Sequence, residues 1–119
     1  MKVLIIVAHP DDEILGMGGT IKKLTTKKNT VKIVFMATGI FARRSDTYSN
    51  STRYDINKKL STKMDKQVKS LRNDVKKAMN ILGVKDFQFE NFPDNEMDTI
   101  SNLEITKKIE DIISEFNPD

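Results

Sequence analysis

The sequence predicts an α/β fold with a layered, mostly parallel sheet, and three observations carry that expectation. Residues 2–8, KVLIIVA, form an unbroken apolar and β-branched run, which suits a strand buried on both faces. A helical repeat and a second apolar run, VKIVFMA at residues 31–37, follow it directly and make a strand–helix–strand unit whose crossover should be right-handed. The rest of the chain adds a helix, a short strand and a further helix. The order β-α-β-loop-α-β-α points to a Rossmann-like architecture.

Each element has its own signal. Ile14, Met17, Ile21 and Leu24 recur at helical spacing, with Lys22, Lys23, Lys27 and Lys28 on the wet side and toward the carboxyl end. Periodicity dissolves over residues 38–60, a polar stretch rich in Ser, Thr, Asn and Arg that reads as a functional lid or mobile segment. Met64, Val68, Leu71, Val75, Ala78, Met79 and Leu82 then step by three and four, and Gly83 follows as the stop. Residues 86–90, DFQFE, alternate as a short strand, and residues 92–95, FPDN, form a loop. Ile105, Ile109, Ile112 and Phe116 mark a last amphipathic helix, ended by Asn117-Pro118. With no repeat and no linker, residues 1–119 are expected to form a single domain. The chain stops after a helix, where such a sheet would enter its next strand. It therefore reads as the amino-terminal part of a fold, incomplete at the carboxyl end.

Composition narrows the function classes. Hydrophobic and charged residues make up 38% and 31% of the chain, as in a protein with a large wet surface. The net charge is only +3, and the basic residues are mostly lysines spread along the chain. With six Phe, two Tyr and no Trp, no aromatics interleave a basic face, so a solvated surface is the better reading than nucleic-acid binding. There is no cysteine, which excludes disulfides and thiolate metal sites and leaves His and carboxylates as metal donors. The first apolar run is too short for a signal segment and nothing approaches a membrane span. A cytoplasmic location is the expectation.

The stretch AHPDDE, at the end of the first strand, holds the single histidine of the chain, His9, followed by Asp11, Asp12 and Glu13. Ligands in open α/β folds bind beyond the carboxyl ends of the strands. Pro10 stiffens the turn, and His9 and Asp12, three residues apart, can converge on one point. Three acids beside an imidazole repel one another unless a cation sits among them, and imidazole with carboxylate suits Zn²⁺ or another divalent metal. Such a metal activates water, and a carboxylate that does not ligate it can take the proton. Spacing admits Asp12 as ligand with Asp11 as base, and equally the reverse. The plainer reading is that these acids cap the helix that follows, with His9 as a hydrogen-bond partner. Gly16, Gly18 and Gly19 invite a phosphate-turn reading, but they fall inside the helical pattern. They read better as letting the helix pack close to the sheet.

AHPDDEILGMGGT resembles the signature of the PIG-L/LmbE-like zinc-dependent N-deacetylases. MATG after the second strand, LRNDVKKAMNILGV on the long helix and FENFPDNEMD after the third strand match that family's order and spacing. The resemblance implies a Rossmann-like hydrolase that removes the acetyl group from an N-acetylated amino sugar, a GlcNAc-type conjugate, by metal-activated water. It implies His9 and Asp12 as zinc ligands and Asp11 as general base, with Arg72 and Asp94 toward the substrate. Asp74 stands where the family often has Glu, and Arg43 and Arg44 in the polar stretch read as solvated. The family also uses a later His-rich segment for its third ligand and its oxyanion partner. Complete catalysis is thus expected to need more than these residues. The expected partner is a small N-acetylated sugar, with no nucleic acid and no membrane span, and a homo-oligomer is left open. Rival readings are a non-catalytic metal- or sugar-binding remnant, a nucleotide-binding Rossmann-like module, and partner binding through residues 38–60.

Overall fold

Both faces of the central strand are covered, and this is why the apolar runs are continuous. A computed structural model of the chain describes residues 1–40, 58–94 and 96–119. Its elements follow the expected order: β1 (Lys2–Val7), α1 (Asp12–Thr26), β2 (Thr30–Phe35), α2 (Lys58–Leu82), β3 (Asp86–Phe89) and α3 (Asn102–Phe116). The strands form one parallel sheet in the order β1-β2-β3, with Lys2 opposite Thr30, Val7 opposite Phe35, Lys32 opposite Asp86 and Phe35 opposite Phe89. Arg43 and Arg44, and most of the polar stretch around them, lie outside the described residues.

Alternate residues of the strands point to opposite faces and build two cores. On one face Ile5, Val31, Ile33 and Phe35 pack with Ile21 of α1, Val75 and Met79 of α2, and Val84. On the other, Val34 and Met36 pack with Leu4, Ile6 and Phe92 against Ile105, Ile109 and Ile112 of α3. Phe35 stacks on Phe89, with ring centroids 5.1 Å apart, and so joins β2 to β3. Burying side chains of this size contributes roughly 1.5–3 kcal/mol each.

α1 is not continuous. Met17 breaks its geometry at φ −151° and ψ 21°, and Gly16 and Gly18 flank the break. Glycine pairs are a common cause of such kinks. A Cβ at Gly16 or Gly19 would meet nothing within 4 Å, and one at Gly18 would meet only Ile14 at 3.7 Å. This corrects the reading of these glycines as a close-packing device: they accompany a kink that sets the first turn of α1 apart from the rest. Serine and glutamate begin α3 as a capping pair, with the Glu104 N–H donating to Ser101 Oγ at 3.1 Å. Asn117, at φ 50°, ends it in the left-handed conformation. Gly83 ends α2 at φ +80°, where a Cβ would sit 3.3 Å from Thr25 Oγ1. A 3₁₀ turn, Met97–Thr99, precedes α3.

At the amino ends of the strands, charges are paired. Lys32 is only 8% exposed, with its ammonium 3.3 Å from the Asp86 carboxylate. Its stem crosses the core while its head stays at the edge. The Lys2 ammonium donates to the Phe116 carbonyl and lies over the Phe116 ring. The Lys2 N–H donates to Asp119 Oδ2 at 2.6 Å, and the Asp119 N–H donates back to the Lys2 carbonyl at 3.0 Å. Among the described residues no helix is long and apolar enough to cross a membrane.

Candidate active site

The backbone ladder continues past the ends of the strands and sets three loops side by side. Met36 and Ala37 donate to the carbonyls of Val7 and Ala8 at 3.0 and 2.8 Å, and Phe92 donates to the carbonyl of Met36 at 3.1 Å. The loop after β1 therefore meets the loops after β2 and β3 at the carboxyl edge of the sheet.

The first of these loops carries His9 to Glu13 in a locked turn. The His9 N–H donates to Asp12 Oδ2 at 2.9 Å, and the Asp12 N–H donates to the His9 carbonyl at 3.3 Å. The Asp11 N–H donates to Glu13 Oε2 at 3.1 Å. Asp11 precedes the helix at φ 155° and ψ −30°, and its side chain makes no capping bond. The acids are thus not used as the plain helix caps that their position suggested: Asp12 and Glu13 reach backward to amides before the helix. Glu13 is 1% exposed, and burial pushes its carboxyl pKa up from the ordinary glutamate value, although the nearby amides oppose this.

The second and third loops meet at Asp94, whose side chain is 1% exposed. Its Oδ1 accepts from the Gly39 N–H at 2.7 Å, and its Oδ2 accepts from the Thr38 hydroxyl at 2.8 Å. The same Oδ1 lies 3.4 Å from Nε2 of His9. One carboxylate thus ties together all three loops. Gly39 is required there for two reasons. Its φ is +75°, and a Cβ would press within 3.4 Å of Cγ and Cδ2 of His9. A cavity of about 400 Å³ opens at this edge, with His9, Asp11, Thr38, Gly39 and Leu71 on its wall.

The remaining expected residues stand apart from that wall. Asp12, Arg72 and Asp94 do not line the cavity. The Arg72 guanidinium lies over the Phe89 ring, 5.1 Å from its centroid, and donates to Asn91 Oδ1 at 2.9 Å. Its Nε is buried and has no hydrogen-bond partner among the described residues. Asp74 is exposed and pairs with Lys77 at 3.1 Å, away from Arg72's partners.

The donor chemistry of the turn suits a zinc-class cation. Among the described residues, Nδ1 of His9 and Oδ1 of Asp12 have no hydrogen-bond partner, because Nε2 faces Asp94 and Oδ2 is held by the His9 amide. The number of donors falls short: among the described residues no group of three His, Cys, Asp or Glu side chains could hold a metal ion. Thr38 and Gly39 are parts of the site that sequence reasoning gave no role, and Glu13, weighed there as one of three acids or a helix cap, turns back onto the Asp11 amide instead. The Thr-Gly pair directly after an apolar strand was the available signal for the first two.

A parallel α/β sheet with an imidazole and carboxylates gathered on its first crossover defines a Rossmann-like protein with a site at the usual strand ends. The chain belongs to the PIG-L (GlcNAc-PI de-N-acetylase) family, whose model matches residues 4–119. It is 29% identical over 119 residues to a probable N-acetyl-alpha-D-glucosaminyl L-malate deacetylase 2 of Bacillus anthracis, covering 98% of this chain and 46% of that protein. Among solved structures it resembles an N,N'-diacetylchitobiose deacetylase from Pyrococcus horikoshii, with a TM-score of 0.77 and 30% identity over 99% of this chain and 38% of that one. A 4-carboxy-2-hydroxymuconate hydratase from Pseudomonas putida shares the fold, with a TM-score of 0.73 and 17% identity over 98% of this chain and 44% of that one. The chain thus spans about half the length of the relatives it matches, or less.

Proposed function

We propose that the chain carries part of the catalytic site of a hydrolase that removes the acetyl group from an N-acetylated amino sugar of the GlcNAc-conjugate type. The observation that carries this reading is the shared wall of the cavity: an imidazole and a carboxylate, His9 and Asp11, face one space at the carboxyl edge of the sheet. Family membership supports it. Likeness of fold alone does not, since the hydratase shares the fold with a different chemistry by its description.

In this reading His9 and Asp12 hold a divalent cation, zinc in the first instance, through Nδ1 and Oδ1. When bound, the cation polarises the acetyl carbonyl and brings the pKa of water to about 7. An Nε2–H directed at Asp94 fixes the imidazole and leaves the Nδ1 lone pair as the ligand atom. Asp11 takes the proton from the attacking water and passes it to the departing amine, so acetate and a free amine result. Arg72 and Asp94 shape the sugar site from behind its wall, Arg72 through Phe89 and Asn91 and Asp94 through His9, Thr38 and Gly39. The remaining ligand and the oxyanion partner come from outside the described residues.

The test is calorimetric titration of Zn²⁺ into the chain at neutral pH, beside Asp12→Ala and His9→Ala. Binding at one equivalent, weakened at least about tenfold in both variants, is expected. Binding that is indifferent to both substitutions would remove the metal assignment. Acetate release from N-acetylglucosaminyl substrates then tests the reaction.

A further inference from the structure

Glu13 is the acid of the AHPDDE stretch that the proposed chemistry leaves without a task, yet it is the most deeply buried of them at 1% exposure. Its carboxylate accepts from the Asp11 N–H at 3.1 Å, and the amides of Glu13 itself and of Ile14 also face it. Burying a carboxylate on backbone amides is still costly, and burial outweighs those amides here, so the contact has a purpose beyond filling space. Its partner supplies the purpose. Asp11 has φ 155° and ψ −30°, a combination that residues other than glycine seldom adopt. Its carbonyl is held by the amides of Ile14 and Leu15 at 3.1 and 2.9 Å. Its amide is held by Glu13, so the peptide units on both sides of Asp11 are pinned.

An aspartate directly before a helix ordinarily turns its carboxylate onto the amides of the first turn. Asp11 does not, and its side chain borders the cavity instead. We propose that Glu13 is a positioning residue: by holding the Asp11 amide it keeps Asp11 from collapsing into an ordinary helix cap and keeps its carboxylate at the cavity. The consequence for catalysis rests on the reading of Asp11 as the base; the clamp itself does not.

The experiment compares the chain with Glu13→Leu, which fills similar space without an acceptor, and Glu13→Gln, which keeps one. Amide exchange is followed by NMR. In Glu13→Leu the Asp11 amide should exchange at least about fivefold faster, while the amide at position 13 becomes better protected as the Asp11 carboxylate swings onto it. A general loss of stability would speed both. Glu13→Gln should restore the native pattern. If Glu13→Leu does not fold, Glu13→Ala carries the same comparison. Equal Asp11 exchange in all three chains, or both amides speeding together, overturns the clamp. Acetate release is measured in parallel, with kcat expected to fall at constant KM in Glu13→Leu and to recover in Glu13→Gln. The crossed exchange pattern in a chain whose Zn²⁺ binding is indifferent to His9→Ala and Asp12→Ala would leave the clamp standing and sink the metal-hydrolase reading.

Discussion

The two ends of the sheet handle charge in opposite ways. At the amino end, basic and acidic groups cancel: Lys32 meets Asp86, and the Met1 ammonium lies 3.7 Å from the Asp119 carboxylate. At the carboxyl end, acids accept from backbone amides and a hydroxyl. Asp12 and Glu13 accept backbone amides, and Asp94 accepts an amide and a hydroxyl beside the single imidazole. Hydrogen bonds from N–H and O–H groups help to hold those side chains in place. The lesson is that the same acid types meet ammonium groups at one end and backbone or hydroxyl donors at the other.

The largest test of this contrast sets Asp94→Ala against Asp86→Ala. The first leaves the Gly39 amide and the Thr38 hydroxyl without their acceptor and should cost about 2–3 kcal/mol in urea unfolding. The second breaks a half-exposed ion pair and should cost no more than about 1 kcal/mol. Equal losses would mean that the two ends are braced alike. The glycines with positive φ sharpen the comparison. Gly39→Ala and Gly83→Ala should each destabilise by about 1–2 kcal/mol, but Zn²⁺ affinity should fall only in Gly39→Ala, whose new methyl presses on the His9 ring. Gly19→Ala lies at neither end and meets open space; thermal melting should show it about 0.5–1 kcal/mol more stable, as helix propensity alone dictates.

The smallest effect is a dependence on pH. Burial raises the pKa of Glu13, so the folded chain holds that proton more tightly than the unfolded chain does. The stability contributed at this position therefore falls as pH rises from the ordinary glutamate range, and returns as pH drops through the raised value. Relative to Glu13→Gln, the unmodified chain should lose ground between pH 4 and pH 7 in parallel urea titrations. A gap that stays constant across this range would mean that Glu13 ionises as freely in the folded chain as in the unfolded one.

Most of the fold is legible in the sequence because burial writes a local pattern. KVLIIVA and VKIVFMA predict strands covered on both faces, and the three- and four-residue steps from Met64 to Leu82 predict the long helix that forms. The position of the site follows from strand direction alone. What the pattern does not report is partnership across distance. Asp94 meets Thr38 and Gly39 only because β3 lies beside β2, and nothing around FPDN announces that its acid is buried. Lys32 interrupts an apolar run yet is buried, since its long stem lets it belong to core and edge at once. Gly16, Gly18 and Gly19 signalled something unusual in α1, but composition does not distinguish a kink from a close approach. The kink is read from backbone angles at Met17, a residue whose own identity fits the helical repeat.

Lys2 and Asp119 are hydrogen-bonded neighbours at the amino end of the sheet, through the Asp119 amide and the Lys2 carbonyl. This has a practical use. A tag or tether attached at either end emerges at the same edge, opposite the one that bears His9 and Asp11. A chain of these 119 residues can therefore be fixed to a sensor surface at either end with its cavity turned toward solution, and the two orientations should report the same cation affinity.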